Sequence, residues 1–172
     1  MTQTSYRIKA SFLIPLGLDV FLLLVLFAWS VLGTGAFTER IVLGVFFLLA
    51  LAVFTESVSR NVSTDEEGIA IRKFFRETRL LWQEVNYAGT LIMRGKAYIL
   101  LTTTKGYHVL SSAYANYEKL VADMVRHLDA ERVEETLRAQ VDQPVRGRSD
   151  AAAAWFAAAV ILGILVLKFL KI

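Results

Sequence analysis

The sequence predicts an α+β protein in which three membrane-spanning helices flank one small antiparallel β domain. Residues 10–32, 41–58 and 151–170 are apolar, and each stretch is long enough, or nearly so, to cross roughly 30 Å of hydrocarbon. Residues 59–150 first alternate apolar and polar side chains, as half-buried strands do, and then change to helical spacing. With 55% hydrophobic residues over 172 positions, the chain is too apolar for an ordinary soluble domain.

The pattern divides the chain into four segments. Residues 1–58 are expected to form a transmembrane helical hairpin, because the link at 33–40 is too short for anything but antiparallel neighbours. Residues 59–141 are expected to form the β-rich domain with its closing helix, 142–149 a linker, and 150–172 the third membrane helix. A cleaved signal peptide is the alternative for the first span. That alternative is disfavoured because the apolar run is too long and a second span follows closely.

Basic residues near the span ends predict that the N-terminus and the β domain lie in the cytoplasm. The hairpin link offers only Arg40, next to Glu39, whereas the opposite ends of the spans are richer in Lys and Arg. The positive-inside rule therefore places the link outside the cell. Lys168 and Lys171 argue weakly for the reverse orientation. The basic residues on the predicted inner side are Arg7, Lys9, Arg60, Arg146 and Arg148.

Asp19 is a charged residue that lies well inside the first predicted span, 10–32. Inserting a charged Asp at such a depth costs about 2.5–3.5 kcal/mol, so a carboxyl group there needs an explanation. It could be a proton or ion ligand, or half of an intramembrane pair with a partner protein. It could equally be a protonated group that hydrogen bonds to a neighbouring helix. A single carboxyl group without companions makes a poor transport pathway, so a helix contact is the favoured interpretation.

The third span is rich in alanine and has Ala159 four residues before Gly163. Such spacing of small residues lets two helices approach closely, although a weakly hydrophobic helix is the plainer interpretation. We expect a protein-contacting face there, against the hairpin or against another chain. Trp29 and Trp155 lie near the ends of their spans, where indole rings favour the headgroup layer, and both are predicted interfacial anchors.

The insert between the second and third spans predicts an antiparallel meander. Residues 65–68 give a turn signal that ends in glycine, and residues 104–106 give a second one between two strand-like runs. Trp82 lies two residues after Leu80, so the two side chains point to the same face of a strand. We therefore expect Trp82 to be a core aromatic residue at the end of that strand. The five predicted strand runs are 69–72, 78–82, 91–93, 98–103 and 107–110.

The spacing changes to that of an amphipathic α-helix after the last of these strands. Ser111 or Ser112 is a candidate N-cap for this helix. The segment 129–140 is mostly charged, with Val133 and Leu137 as its apolar pair, and predicts a solvated continuation or a second short helix. The apolar stripe that must bury against the sheet consists of Tyr117, Leu120, Val121, Met124, Val125 and Leu128.

Several of these runs together resemble the bacterial PH-like domains of membrane-flanked proteins. The resemblance lies in DEEGI at 65–69 leading to Arg72 and a Phe pair, and in LLWQEV at 80–85, followed by later strands and an amphipathic helix. It covers about residues 61–128, and two spans ahead of the domain also fit the family's usual layout. The resemblance implies a partly open β-barrel capped by a helix, without enzymatic activity, in a bacterial inner membrane.

Four basic residues cluster around the second turn of the insert: Arg72, Lys73, Arg76 and Arg79. The resemblance makes them candidate contacts for anionic lipid headgroups, since PH-like domains can bind such groups through an early hairpin. Each exposed charge adds only about 1 kcal/mol of attraction to an anionic leaflet. With acidic side chains nearby in the sequence, an ordinary solvated surface is the favoured interpretation.

No residue set in the chain predicts catalysis, a metal or a cofactor. His108 and His127 lie on different elements without an acidic or cysteine ligand set at metal spacing, and the chain has no Cys. Neither a P-loop nor a G-x-G-x-x-G motif occurs. Residues 59–150 hold 14 Lys and Arg against 13 Asp and Glu, which is no footprint for nucleic acid.

The sequence therefore leads to three hypotheses of different kinds. The first is a non-enzymatic accessory or scaffold protein of the bacterial inner membrane, which docks to a larger membrane complex or self-assembles. Its partners would be membrane lipids and a membrane protein or a second copy. The second is a module that binds anionic lipid headgroups. The third is a small-solute or proton pathway that uses Asp19.

Overall fold

The computed structural model describes residues 4–33, 35–93, 96–104, 106–142 and 151–170. It is an α+β structure with three long apolar helices and two antiparallel sheets. Its contacts divide the chain into two compact units. One unit contains the described residues of 1–9 and 59–148, and the other contains those of 10–58 and 149–172. The predicted linker, except Asp142, lies outside the described residues, as do positions 94, 95 and 105 of the predicted turns.

Three helices of the second unit are long and apolar enough to cross a membrane. They are α1 (Ala10–Leu32), α2 (Phe37–Ser59) and, near the C-terminus, α5 (Ala151–Leu170). Helix α2 begins four residues before the predicted apolar stretch. Glu39 lies in that added first turn, where the positive end of the helix dipole favours a carboxylate. The predicted stretch began at Ile41 because a search for apolar residues alone does not include the polar Thr38, Glu39 and Arg40.

Helix α1 packs against both other helices. The rings of Phe27 and Phe47 stack at 6.3 Å between centroids and join α1 to α2. Trp29 meets Phe169 edge to face at 6.2 Å, which joins α1 to α5. Alanines let α5 come close to its neighbour, because they add little bulk beyond the backbone. The buried positions are Pro15, Asp19, Leu22, Leu26 and Ser30 on α1 and Ala151, Ala154 and Ala158 on α5.

The first unit contains seven strands rather than the five that the sequence predicts. The four-stranded sheet has the order β1-β2-β3-β4 and the three-stranded sheet the order β5-β6-β7, with every neighbouring pair antiparallel. The strands are β1 (Thr4–Arg7), β2 (Asn61–Thr64), β3 (Gly68–Lys73), β4 (Arg76–Leu81), β5 (Val85–Met93), β6 (Lys96–Thr103) and β7 (Gly106–Ser111).

The two strands absent from the prediction are β1 and β2, which flank helices α1 and α2. Each has only four residues and one large apolar side chain, Tyr6 in β1 and Val62 in β2, so neither shows an alternation of apolar residues in the sequence. They pair with each other, with Tyr6 opposite Val62. The pairing joins residues more than fifty positions apart, and no local pattern indicates it. The N-terminal segment is therefore part of the β domain.

The prediction for Trp82 was right about burial and wrong about the element. β4 ends at Leu81, and Trp82 begins a short 3₁₀ turn, Trp82–Glu84. The indole is buried, and its Nε1 donates a 3.0 Å hydrogen bond to the carbonyl oxygen of Asp65. Because the backbone nitrogen of Trp82 also bonds Glu67, the turn is fixed against the loop between β2 and β3.

The amphipathic helix predicted after the strands is α3 (Tyr117–His127), and its apolar stripe is buried as expected. The predicted serine cap is wrong. The residue before α3 is Asn116 in the left-handed conformation, and its side chain makes no capping bond. Ser112 instead donates its backbone N–H to Ala97 in β6, so the serines finish the sheet and do not start the helix.

A second short helix, α4 (Glu135–Asp142), follows and is more than a solvated continuation. Leu137 is fully buried, and Val133 forms a parallel bridge with Ala88 of β5. This charged segment therefore covers one edge of the second sheet. The N-terminal segment makes a comparable contact elsewhere, because Ile8 bridges to Tyr114 just before α3.

Candidate interaction sites

The turn between β3 and β4 consists of two phenylalanines at the tip of a hairpin. Lys73 pairs with Arg76, so Phe74 and Phe75 are the two central residues of the turn. Their side chains are 63% and 68% exposed. Their φ angles are 50° and 58°, so both lie in the left-handed region. Two-residue hairpin loops with positive φ at both positions normally use Asn-Gly or Asp-Gly.

This tip breaks three local rules at once. A left-handed conformation costs an L-residue roughly 1–2 kcal/mol, and two bulky residues adopt it here. The rings gain little burial in return. Lys73 and Arg76 also lie directly opposite each other, and like charges in that arrangement are destabilising. Natural sequences tend to break such rules at functional sites, so the tip is a candidate site.

The four basic residues that the sequence groups together do not act as one cluster. Arg79 donates to Asp65 and Glu67, each at 2.9 Å, and is held in these ion pairs. Lys73 and Arg76 share one face of the hairpin tip, and the Nζ of Lys73 lies 5.7 Å from the centroid of the Phe74 ring. Arg72 points to the opposite face of the hairpin, across from Glu77. Three exposed cations therefore flank the tip, and the fourth is neutralised.

The outward face of the β5–β6–β7 sheet is the second candidate surface. The strand register puts Tyr87, Thr102 and Tyr107 in one row across the sheet, and Leu100 and Val109 in the next. The opposite face carries the fully buried Ile99 and Leu101 in β6 and Leu110 in β7, so the two faces are clearly distinguished. The exposed apolar side chains on the outward face are Tyr87, Leu91, Met93, Tyr107 and Val109.

One edge of this outward face is organised by a tyrosine and a carboxylate. The Tyr87 hydroxyl hydrogen bonds to the Glu134 carboxylate, which raises the pKa of Tyr87 and lowers the pKa of Glu134. A side chain at Gly89 would collide with that carboxylate, since its Cβ would lie 2.2 Å from Oε2 of Glu134. The glycine thus keeps the space above β5 open for Glu134.

A buried polar cluster ties the N-terminal strand to helix α3. The Tyr6 hydroxyl donates to Oδ2 of Asp123 at 2.5 Å, and the Thr64 hydroxyl donates to the same oxygen at 3.0 Å. Burial and the neighbouring Asp123 raise the pKa of Tyr6. This carboxylate joins β1, β2 and α3, so its role is structural.

The two histidines have no metal-site geometry. His127 stacks on the Trp82 ring at 5.1 Å, and its Nδ1 lies 2.7 Å from the carbonyl oxygen of Asp123. His108 lies on β7, half-buried. Within the described residues, no group of three or more His, Cys, Asp and Glu side chains could hold a metal ion.

The intramembrane candidates are divided between buried and exposed positions. Asp19 is buried on the face of α1 that also buries Pro15 and Leu22. Its Oδ1 makes no hydrogen bond to any described residue. Ala159 and Gly163 are exposed, and a Cβ on Gly163 would meet nothing within 4 Å. The contact with α1 therefore uses other alanines.

The two predicted anchors differ in their contacts. Trp29 packs on Phe169 and remains 39% exposed, whereas Trp155 is half exposed on α5. Near Trp29, the ammonium of Lys168 bonds the carboxylate of Glu39 and so joins the end of α5 to the start of α2. Neither tryptophan is enclosed in a protein core.

Phe74, Phe75 and the outward sheet face are sites that were not predicted from the sequence. The signal for the tip was present, because a Phe-Phe pair between basic residues occupies a turn where Asn or Gly belongs. The sheet face had no such signal in the sequence. Its strands carry apolar residues on both faces, and a strand that is buried on both faces shows the same pattern. Comparisons with family models, curated proteins and solved structures found no match to this chain.

Proposed function

We propose that the chain is a non-enzymatic accessory or scaffold protein of a bacterial inner membrane. Three helices anchor it, and a PH-like domain on the cytoplasmic side docks to another protein chain. The observation that carries the proposal is the exposed apolar face of the β5–β6–β7 sheet. Exposed apolar patches of this kind, with aromatic residues among them, are typical of protein interfaces.

The PH-like assignment draws support from the arrangement of the strands and α3. Seven antiparallel strands in two sheets precede the helix, as a partly open barrel closed by a helix requires. The helix is tied to β1 and β2 through Asp123, and to the turn after β4 through the stacking of His127 on Trp82. In this interpretation the membrane hairpin is an insertion between the first two strands.

The cytoplasmic orientation draws support from one contact. The pairing of β1 with β2 requires the N-terminus and the domain to share one side of the membrane, so the positive charges near both count together. Lys168 argues for the opposite orientation, but the basic residues on the predicted inner side outnumber it.

A protein is a better occupant of the outward sheet face than a lipid headgroup. The exposed positions there are mostly tyrosines, Met93 and aliphatic side chains, with the polar Thr102 among them and the cation Lys96 opposite Met93. Tyr and large aliphatic residues supply contact area at interface centres, where charged residues are depleted. The partner surface is expected to be apolar at its centre.

Site-specific crosslinking in native membranes tests this docking. A photoreactive residue at Tyr107 of the full chain should give a defined higher-mass product, and the same residue at the exposed Lys119 on α3 should not. Leu91→Lys should reduce the product, because it places a charge among the exposed apolar side chains of the face. Purified protein that gives the same product alone would identify a second copy as partner. No product at Tyr107, or one insensitive to Leu91→Lys, would contradict the proposal.

Binding of anionic lipid headgroups is the second candidate function, favoured by the exposed Arg72, Lys73 and Arg76 around the hairpin tip. The test is native mass spectrometry of the full chain released from nanodiscs that contain phosphatidylglycerol. Replacing these three residues by Ser should reduce the retained anionic lipid. Arg79→Ser is the matched control, because Arg79 is already paired and should change little. Equal loss in both variants would argue against a specific lipid contact.

The third hypothesis, a proton or solute pathway through Asp19, has less support. A relay needs successive titratable groups, and the other described charged side chains of the three helices lie in the terminal turns of α2 and α5. Asp19 is therefore better explained as a helix-contact residue of α1.

A further inference from the structure

We propose that the turn between β3 and β4 is a membrane-inserting tip. Phe74 and Phe75 enter the interfacial layer of the leaflet, and Lys73 and Arg76 contact anionic headgroups beside them. The inference rests on the lipid-binding candidate above and assigns to it an apolar anchor that the basic residues alone do not supply.

The strand register directs the tip toward the membrane. β2 begins two residues after the last residue of α2, Ser59, so its first residue, Asn61, marks the end of the sheet that the chain joins to that helix. β3 is antiparallel to β2, with Arg72 opposite Asn61, so β3 finishes at this same end. Lys73 is the last residue of β3, and Phe74 follows it in the turn. The turn therefore lies at the end of the sheet from which the chain enters the membrane.

The same end of the first sheet is entered by the N-terminal strand. Arg7 pairs with Asn61 and is followed within three residues by α1. Two membrane helices thus leave the sheet at the level of Arg72.

The charge of the sheet is divided between its two ends. The β2–β3 turn at the far end is acidic, with Asp65, Glu66 and Glu67, and Arg79 is paired there. An anionic leaflet attracts the basic end and repels the acidic end, which orients the sheet with the phenylalanines facing lipid. The basic end carries Arg7, Arg60, Arg72, Lys73 and Arg76, with the acidic Glu77 opposite Arg72.

The chemistry of the tip also fits the interfacial layer. Apolar rings combined with Lys and Arg are the composition of segments that lie at the boundary between headgroups and acyl chains. The turn holds both rings outward in a backbone conformation that phenylalanine otherwise avoids. Burial of the rings in lipid would offset the cost of that backbone conformation, whereas their exposure to water does not.

A depth measurement on the full chain tests the proposal. The chain has no Cys, so Phe75→Cys labelled with the environment-sensitive dye NBD gives a single probe. Glu66→Cys gives the matched control, because Glu66 is exposed in the turn at the acidic end of the same sheet. Both proteins are placed in nanodiscs that contain phosphatidylglycerol and a lipid with a nitroxide in its upper acyl chain. Iodide is the water-borne quencher.

The expected result is that the nitroxide lipid quenches the label at position 75 several-fold more than the label at 66, and that iodide shows the reverse order. Replacing Lys73 and Arg76 by Ser in the same background should reduce lipid quenching at 75. A label at 75 that iodide quenches as strongly as the one at 66 would overturn the proposal. Protection from iodide only in native membranes, without lipid quenching, would indicate a protein occupant and would also overturn it.

The two proposals can fail independently. Crosslinking from Tyr107 reports on the outward sheet face and does not involve the tip. Retention of phosphatidylglycerol reports on the charges, and it would persist if the headgroups bind without insertion of the rings. If the label at position 75 shows no lipid quenching while the chain still retains phosphatidylglycerol, insertion of the rings is rejected and headgroup binding remains.

Discussion

Replacing Phe74-Phe75 by Asn-Gly should make the β domain more stable. The left-handed conformation costs each phenylalanine roughly 1–2 kcal/mol, so about 2–4 kcal/mol is available for relief. The ring of Phe74 contacts Lys73, and losing that exposed cation–π contact removes about 0.5–1 kcal/mol. The flexibility of Gly in the unfolded chain removes a further 0.5–1 kcal/mol or so. The net stabilisation should be about 1–2 kcal/mol, since both rings are largely exposed.

Urea unfolding of the full chain in mild detergent measures this change. Trp29→Phe and Trp155→Phe leave Trp82 as the only tryptophan, and its buried, stacked indole reports on the domain. The transition midpoint should rise by about 0.5–1 M urea with an unchanged slope. A matched variant, Phe74→Ser with Phe75→Ser, removes the rings but keeps the strain, and its midpoint should not rise; it should fall slightly with the loss of the contact between Lys73 and Phe74. An Asn-Gly variant that is no more stable than the parent would refute the strain argument.

The remaining predictions concern single side chains. Tyr117→Phe should not destabilise the domain at neutral pH, because the buried hydroxyl bonds to no described residue, whereas Tyr6→Phe should lose about 1.5–3 kcal/mol with the bond to Asp123. Burial raises the pKa of Tyr117 to about 12. The folded chain thus keeps a proton that the unfolded chain releases above about pH 10, and stability falls from there upward. Above about pH 10, the urea midpoint should fall less steeply with pH for Tyr117→Phe than for the parent chain. An equally steep fall in both would contradict a buried, protonated Tyr117. Leu137→Ala should destabilise the domain by about 2–5 kcal/mol in the same assay, and the exposed Val141→Ala by far less. Asp19→Leu should raise the melting temperature of the helical unit in detergent, and a lower one would indicate a polar partner for Asp19.

The features that the sequence predicts well are those with a local period. The three spans and the stripe on α3 repeat their apolar residues at helical spacing, and burial follows directly from that spacing. The strands from β3 to β7 are likewise recognisable by alternation and turn residues. β5 was cut short in the prediction because Gly89 and the irregular register near Val85 interrupt its alternation.

The features that the sequence does not predict depend on distant contacts. β1 is a strand only because β2 and the segment at Tyr114 are there to bond it. The division of the basic cluster depends on which acidic side chains the β2–β3 turn brings to Arg79. The exposure of Ala159 depends on the face of α5 that meets α1. None of these contacts has a signature within a window of ten residues.

If α1 and α2 both cross the membrane, as proposed above, the bonding of β1 to β2 makes assembly of the β domain conditional on correct insertion. The ribosome releases β1 long before β2 exists, so the N-terminal strand would find its partner only after both helices have been inserted. If either span fails to cross, the two strands emerge on opposite sides and the exposed edge of β2 has nothing to bond. A misinserted chain would then display an open strand edge, which invites aggregation or removal by proteases. The N-terminal strand thus couples folding of the domain to the topology of its anchor.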